Sequence, residues 1–380
     1  MKQSLLILPI ILFALLISRP AFAGVSTVNP VKATDLDPGS LLLLTAAQEG
    51  DVETVRQMIE EQKNIETKDD YGRTALHIST EYGQAEVAAM LIQAGADIEA
   101  RTNPRALHAY WQSTPLIIAA AWGRPNIAKL LIAAGADVNA RDGGSQITWN
   151  VLHTAADSGH TEVAELLIEN GAEIDALTDP GLNTPLLIAA KAGNKTMAEL
   201  LISKGANINA ANRDAGTPLY QAAQSDAFEI VQALLAKGAD VNTKTVSGSY
   251  PGDTPLHASA YSGNTQIAEL LLAKGADINA ANQYGFTPLR RAVNQGHVAM
   301  AELLIEEGAD LAATDSGGFT VLHVIAQTDR IELAELLISE GAEINAKDIN
   351  VGFTPLDYAQ DGEPAMIALL ERHGGICTSC

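Results

Sequence analysis

Apolar and polar positions along this chain fall into two short helical patterns that alternate from one end to the other. The first opens on Thr-Pro-Leu and carries small paired residues such as Ala189 and Ala190, or Ala222 and Ala223. Its Thr can accept from the first free N–H groups of a helix, and its Pro presets the opening turn and lacks the N–H that would be orphaned there. The second carries an apolar stripe at helical spacing, as in Val163, Leu166 and Leu167 or Ile267, Leu270 and Leu271. Gly123, Gly159, Gly193, Gly263 and Gly296 separate the two patterns, and a further Gly closes each pair. Each stretch is shorter than the roughly 12 to 15 residues an isolated helix needs. The pattern therefore predicts helical pairs that hold only by stacking on their neighbours.

The spacing is regular. The Thr-Pro-Leu position falls at Thr74, Thr114, Asn150, Thr184, Thr217, Thr254, Thr287, Thr320 and Thr354, in steps of 40, 36, 34, 33, 37, 33, 33 and 34. Between Thr and closing Gly the distance is 21 residues in every module but the last, where it is 20. Insertions thus avoid the helices and lengthen the connecting fingers. Leu41 to Gln62 follows the same register with Gln62 in place of the closing Gly, which reads as an N-terminal cap. The module from Thr354 is a residue short and charged at its close, which reads as a C-terminal cap.

Three copies carry a family likeness: TPLHASAYSGNTQIAELLLAKGADINAAN from Thr254, TPLRRAVNQGHVAMAELLIEEGADLAATD from Thr287 and TVLHVIAQTDRIELAELLISEGAEINAKD from Thr320. These resemble ankyrin repeats. The resemblance spans about 335 residues, 40–374, and implies an all-α solenoid of about ten helix-turn-helix modules with finger loops. It further implies that other proteins bind on a concave face, lined by the variable residues near the mid-module Gly and by the finger tips. His77, His153, His257 and His323 follow the motif Leu, where the family uses His to bond within and between modules; His160 and His297 follow the mid-module Gly, and only His108 is off-template among eight histidines once His373 is placed beside the closing Gly.

Outside the array, Lys2, an apolar run from Leu5 to Ile17 and Ala21-Phe22-Ala23 before Gly24 have the three parts of a secretory signal peptide, residues 1–23. The run is 13 residues, short of the roughly 20 that span a bilayer. Residues 24–39, with Pro30 and Pro38, read as a flexible linker, and 375–380 as a tail. This organisation places the protein in the periplasm or outside the cell, without membrane insertion once the leader is removed.

Loss of residues 1–23 would remove Lys2 and Arg19, leaving 22 basic against 46 acidic residues, a balance of −24. Such a field excludes nucleic acid and favours a basic or neutral protein partner, with the chain itself monomeric. Cys377 and Cys380 form C-x-x-C after the last module, where a disulfide is the plainer expectation in an oxidising compartment and a working redox centre the lesser one. No cofactor or metal is expected, and no nucleophile has an identifiable base, so the chain is not expected to be an enzyme. What remains is surface. The longest finger, Thr102 to Ser113, brings Arg105, His108, Tyr110 and Trp111 together, and Trp149 and Tyr250 lie in or beside the next long fingers. Tyr82, Trp122 and Tyr261 occupy the variable positions near the mid-module Gly, so these aromatics and Arg105 make up the expected protein-binding patch. The expected role is a non-catalytic scaffold or inhibitor. The alternatives are envelope oxidative-stress or redox support, and a secreted effector that binds a host protein.

Overall fold

The computed structural model describes residues 36–103, 112–143, 148–360 and 362–379. The leader, most of the linker, Arg105, His108, Tyr110, Trp111 and Cys380 lie outside the described residues. Among those described, every regular element is a helix, twenty in all, with isolated backbone bridges only at Arg141 to Asn150 and Thr148 to Asp179. None is long and apolar enough to cross a membrane.

The chain divides into two units, Met1–Gly181 and Leu182–Cys380. The first holds α1 (Pro38–Glu49), α2 (Val52–Glu60), α3 (Ala75–Tyr82), α4 (Ala85–Gln93), α5 (Pro115–Trp122), α6 (Pro125–Ala133), α7 (Val151–Ser158) and α8 (Thr161–Glu169). The second holds α9 (Pro185–Ala192), α10 (Lys195–Ser203), α11 (Pro218–Gln224), α12 (Phe228–Ala236), α13 (Pro255–Ser262), α14 (Thr265–Ala273), α15 (Pro288–Gln295), α16 (Val298–Glu306), α17 (Val321–Ile325), α18 (Ile331–Ser339), α19 (Pro355–Ala359) and α20 (Pro364–Arg372). Within each unit a first helix of one module packs on the first helix of the next, and a second helix on the next second helix, giving two helical layers.

The repeated residues explain this packing. Ala119 with Ala120, Ala189 with Ala190 and Ala222 with Ala223 are fully buried, and no longer side chain would let successive first helices approach so closely. Leu91, Leu131, Leu167, Leu201, Leu234, Leu271, Leu304 and Leu337 form the buried row of the second layer, each worth about 1.5 to 3 kcal/mol of transfer free energy. The motif Thr caps its helix as expected: Thr254 Oγ1 accepts from the His257 N–H, and Asn150 Oδ1 serves at the one interior module that lacks Thr. Gly123 is required by close approach, since a Cβ there would stand 2.5 Å from Nδ1 of His160 in the next module.

Two boundaries differ from the expectation. Helix α1 takes in Pro38 and Gly39, because Asp37 accepts from the N–H groups of Gly39 and Ser40 and starts the helix before the apolar run begins. Gln62 adopts the left-handed conformation of the Gly it replaces, with φ of 55°.

Candidate functional site

Each unit carries one buried arginine at the heart of a polar and aromatic cluster. In the first, the finger before α3 supplies Arg73, fully buried. Its Nε and Nη2 donate to Asp69 Oδ2 at 2.9 and 2.7 Å, and its Nη1 to Glu81 Oε2 at 2.5 Å. Burial alone would depress the guanidinium, but Glu81 and Asp69 outweigh it and hold its pKa above the usual value. Tyr71 lies beside this network, its ring 5.1 Å from Arg73 Cζ, and packs with Trp122 against Ile118. Trp122 is half-buried, and its indole N–H has no acceptor. Burial, then Glu81, raises the neighbouring Tyr82 phenol.

The second unit builds its cluster from α11, α13, α15 and two fingers. Arg291 on α15 is 4% exposed and packs between two tyrosine rings, 3.6 Å from the centroid of Tyr250 and 4.8 Å from that of Tyr261. Its Nη2 stands 3.3 Å from Asp253 Oδ2, while Nε and Nη1 have no hydrogen-bond partner. Asp253 is held from the other side by Asn282, whose Nδ2 donates to Oδ1 at 2.7 Å. Burial, then the Asp253 charge, pushes the adjacent Tyr220 phenol up to about 12. Tyr250 continues into Tyr284 and Phe286, with ring centroids 6.3 Å away in each case. Next to them, Arg290 lies over the Phe286 ring at 5.0 Å and donates to Asp315 Oδ2 at 3.1 Å. Burial lowers its pKa to about 10 against the pull of Asp315. Tyr261 and Tyr284, 40% and 44% exposed, open the cluster to solvent.

Chemically, both clusters can hold and recognise; neither presents a nucleophile beside a base. Among the described residues no group of three His, Cys, Asp or Glu side chains could hold a metal ion. The histidines serve the stack. His77 Nδ1 accepts from the Thr74 N–H, so the proton is on Nε2, which faces the carbonyls of Ala100 and Ser113 at 3.0 and 3.2 Å.

The family model described as three-copy ankyrin repeats matches residues 15–102, 43–142, 102–178, 152–245 and 246–315. A many-copy ankyrin model matches 219–272, and a single-repeat model 317–349. The chain belongs to the ankyrin repeat family. Among curated proteins this ankyrin chain is similar to Ankyrin repeat and SOCS box protein 3 of Bos taurus, 41% identical over 147 residues, which are 38% of the chain and 26% of that protein. It therefore spans about a quarter of that relative's length. Ankyrin repeats are protein-interaction scaffolds.

Of the residues expected to bind, the ankyrin fold brings Tyr250 and Tyr261 together around Arg291, and sets Trp122 near Tyr71 in the first unit. Trp149 is drawn inward to 8% exposure, because its finger folds back through the Asp142 N–H to Trp149 carbonyl bond and the indole packs beside the His153 ring, 6.4 Å away. The sequence reading missed Arg291, Arg290 and Tyr220. One signal was available: Thr287-Pro-Leu-Arg-Arg puts Arg290 where other modules have His, with a second cation in the next position.

Proposed function

We propose that this ankyrin chain is a stoichiometric protein-binding scaffold or inhibitor acting outside the cytoplasm, and that it grips its partner at the Arg291 cluster of the second unit. Leaving a buried donor without an acceptor costs about 1 to 3 kcal/mol, more for a charged group, so an acceptor supplied by a partner recovers free energy that the free protein forgoes. Aromatic rings and Arg are also the residues that dominate interface energetics. A partner carbonyl or carboxylate, reached by swinging out the half-exposed Tyr261 ring, meets that need. The acidic excess of the chain favours a partner that is basic or neutral overall and brings only a local acceptor. The Lys2 to Ala23 leader pattern and the disulfide at Cys377 support an oxidising compartment outside the cytoplasm.

The test is crosslinking in cells from a photoreactive residue at position 261, followed by affinity measurement with the captured protein. Arg291→Met and Tyr261→Ala should each weaken that complex at least about tenfold. Equal affinity of wild type and both variants for the captured protein would remove the site, while cytoplasmic fractionation of unprocessed chain would remove the compartment. Recovery of the protein from the culture medium would favour a secreted effector.

A further inference from the structure

The segment that follows α20 makes contacts of opposite polarity to those of the fingers that follow His-bearing modules. In the interior modules from Thr74, Thr254 and Thr320 a His takes the cap Thr N–H on Nδ1 and turns Nε2 toward a carbonyl further along the chain, as His257 does to Phe286 O at 2.9 Å and His323 to Phe353 O at 3.2 Å. In the module from Thr354 that position is Asp357. The cap contact survives the exchange, since the Thr354 N–H and hydroxyl donate to Asp357 Oδ2 at 2.7 and 2.9 Å. A carboxylate has no proton for a carbonyl, however, and what meets it is a set of donors. The Thr378 N–H and Ser379 N–H reach Oδ1 at 2.7 Å, the Ser379 hydroxyl Oδ1 at 2.8 Å and the Thr378 hydroxyl Oδ2 at 2.7 Å.

The segment enters in the register of a finger. Asn345 Nδ2 donates to Gly374 O at 3.1 Å and Asn345 Oδ1 accepts from Ile376 N–H at 2.8 Å, as Asn242 does with Gly275 and Asp277 at 3.1 and 2.9 Å. The Thr354 hydroxyl also lies 2.6 Å from Ile376 O. Cys377 stands between these anchors and is disulfide-bonded; the sequence holds one other cysteine, Cys380, beyond the described residues.

We infer that Gly374–Ser379 is a redox-locked clamp on α19 and α20, with Asp357 as its socket and the Cys377 disulfide as its lock. Oxidised, the disulfide restricts the segment to conformations that hold Thr378 and Ser379 over the carboxylate. A dithiol reductant opens it by exchange: the S–S bond breaks, two electrons and two protons pass to the protein sulfurs as two thiols, and the reductant leaves as its own disulfide. The four donors then lose their constraint. Placement beside a carboxylate also argues for a lock over a redox catalyst, since Asp357 Oδ1 is 3.2 Å from Cys377 Sγ and opposes the thiolate that catalysis would need.

Hydrogen exchange of the full-length protein tests this, oxidised and after dithiothreitol. Such a covalent constraint favours the held conformation by roughly tenfold, so reduction or Cys377→Ser should raise exchange in α19 and α20 by about that factor and leave α3 to α8 unchanged. In Asp357→Ala, exchange there should start high and reduction should add less than about twofold, because the socket is already lost. Should that variant not fold, Asp357→Asn, which keeps one acceptor oxygen, should show a reduction effect between the two. Unchanged exchange in reduced wild type, or the same rise in wild type and the Asp357 variant, would overturn the clamp.

Discussion

Arg73 and Arg291 are both arginines removed from water, yet the first unit closes its arginine and the second leaves its own open. Arg73 gives N–H groups to two fully buried carboxylates, Asp69 and Glu81, all within one module. Arg291 has one carboxylate, Asp253, at 3.3 Å, and meets aromatic faces elsewhere. The chemistry of the side chain is the same and its surroundings decide the role. A complete set of partners makes a guanidinium part of the framework; an incomplete one beside half-exposed rings makes it a place for something else to complete.

The largest expected effect comes from breaking the closed site. Arg73→Met should cost about 3 to 5 kcal/mol, because it strands Asp69 and Glu81 without their counter-charge in the interior. Urea unfolding monitored through Trp122 would measure it. A cost under about 1 kcal/mol would mean that the two arginines do not differ in kind.

Acid sharpens the comparison by acting on a buried histidine of the first unit, His77. Burial, partly offset by hydrogen bonds to Ser113 and Ala100, lowers the His77 pKa to about 4 from 6.5. The unfolded chain then binds a proton that the folded one refuses, so stability is complete above pH 6.5, falls as pH drops below it, and levels off under about pH 4. The full loss is about 3 kcal/mol. His77→Gln should reduce that slope in unfolding curves taken between pH 7.5 and 4.5, leaving the part due to His160, His257 and His323, whose pKa values burial also lowers, whereas Arg291→Met should leave the His77 part in place.

Opening the second site has a smaller effect and a different readout. Arg291→Met should cost about 2 kcal/mol, less than Arg73→Met, because it strands one buried carboxylate, Asp253, where Arg73→Met strands two, and removes two unmet donor atoms with it, while Asn282 still holds the other Asp253 oxygen. Partner affinity should fall by about 2 kcal/mol, roughly thirtyfold, in calorimetric titration. If stability falls as far as in Arg73→Met while affinity holds, Arg291 is framework too.

Much of the fold was legible because its signals are local and repeated. Thr caps, Pro at the first turn, paired Ala and closing Gly each act within a few residues, and their period carries them along the chain. The clusters were less legible for the opposite reason. Nothing local in the sequence pairs Asp69, Arg73 and Glu81 until the fold turns all three inward, and only the fold sets Arg291 between rings from two other modules. Trp149 misleads in the other sense. A tryptophan beside a long finger suggests an exposed anchor, but the Arg141 to Asn150 bridge closes that finger and takes the ring with it. Tyr250 and Tyr261 stand out from their places in the module; the arginine they surround does not.

The smallest effect is also the one that tests whether an unmet donor by itself marks a binding site. Trp122 in the first unit has a buried indole N–H without an acceptor, but it lacks the charge of Arg291 and the carboxylate beside it. Trp122→Phe keeps the aromatic packing on Tyr71 and Ile118 and deletes the donor. Removal of a donor that nothing satisfies is close to neutral, so stability should shift by less than about 1 kcal/mol. Affinity for a partner captured through position 261 should stay within about twofold, because a neutral donor contributes far less than a charged one. A loss as large as that of Arg291→Met would extend the docking surface to the first unit, and the contrast between a closed arginine and an open one would no longer locate binding.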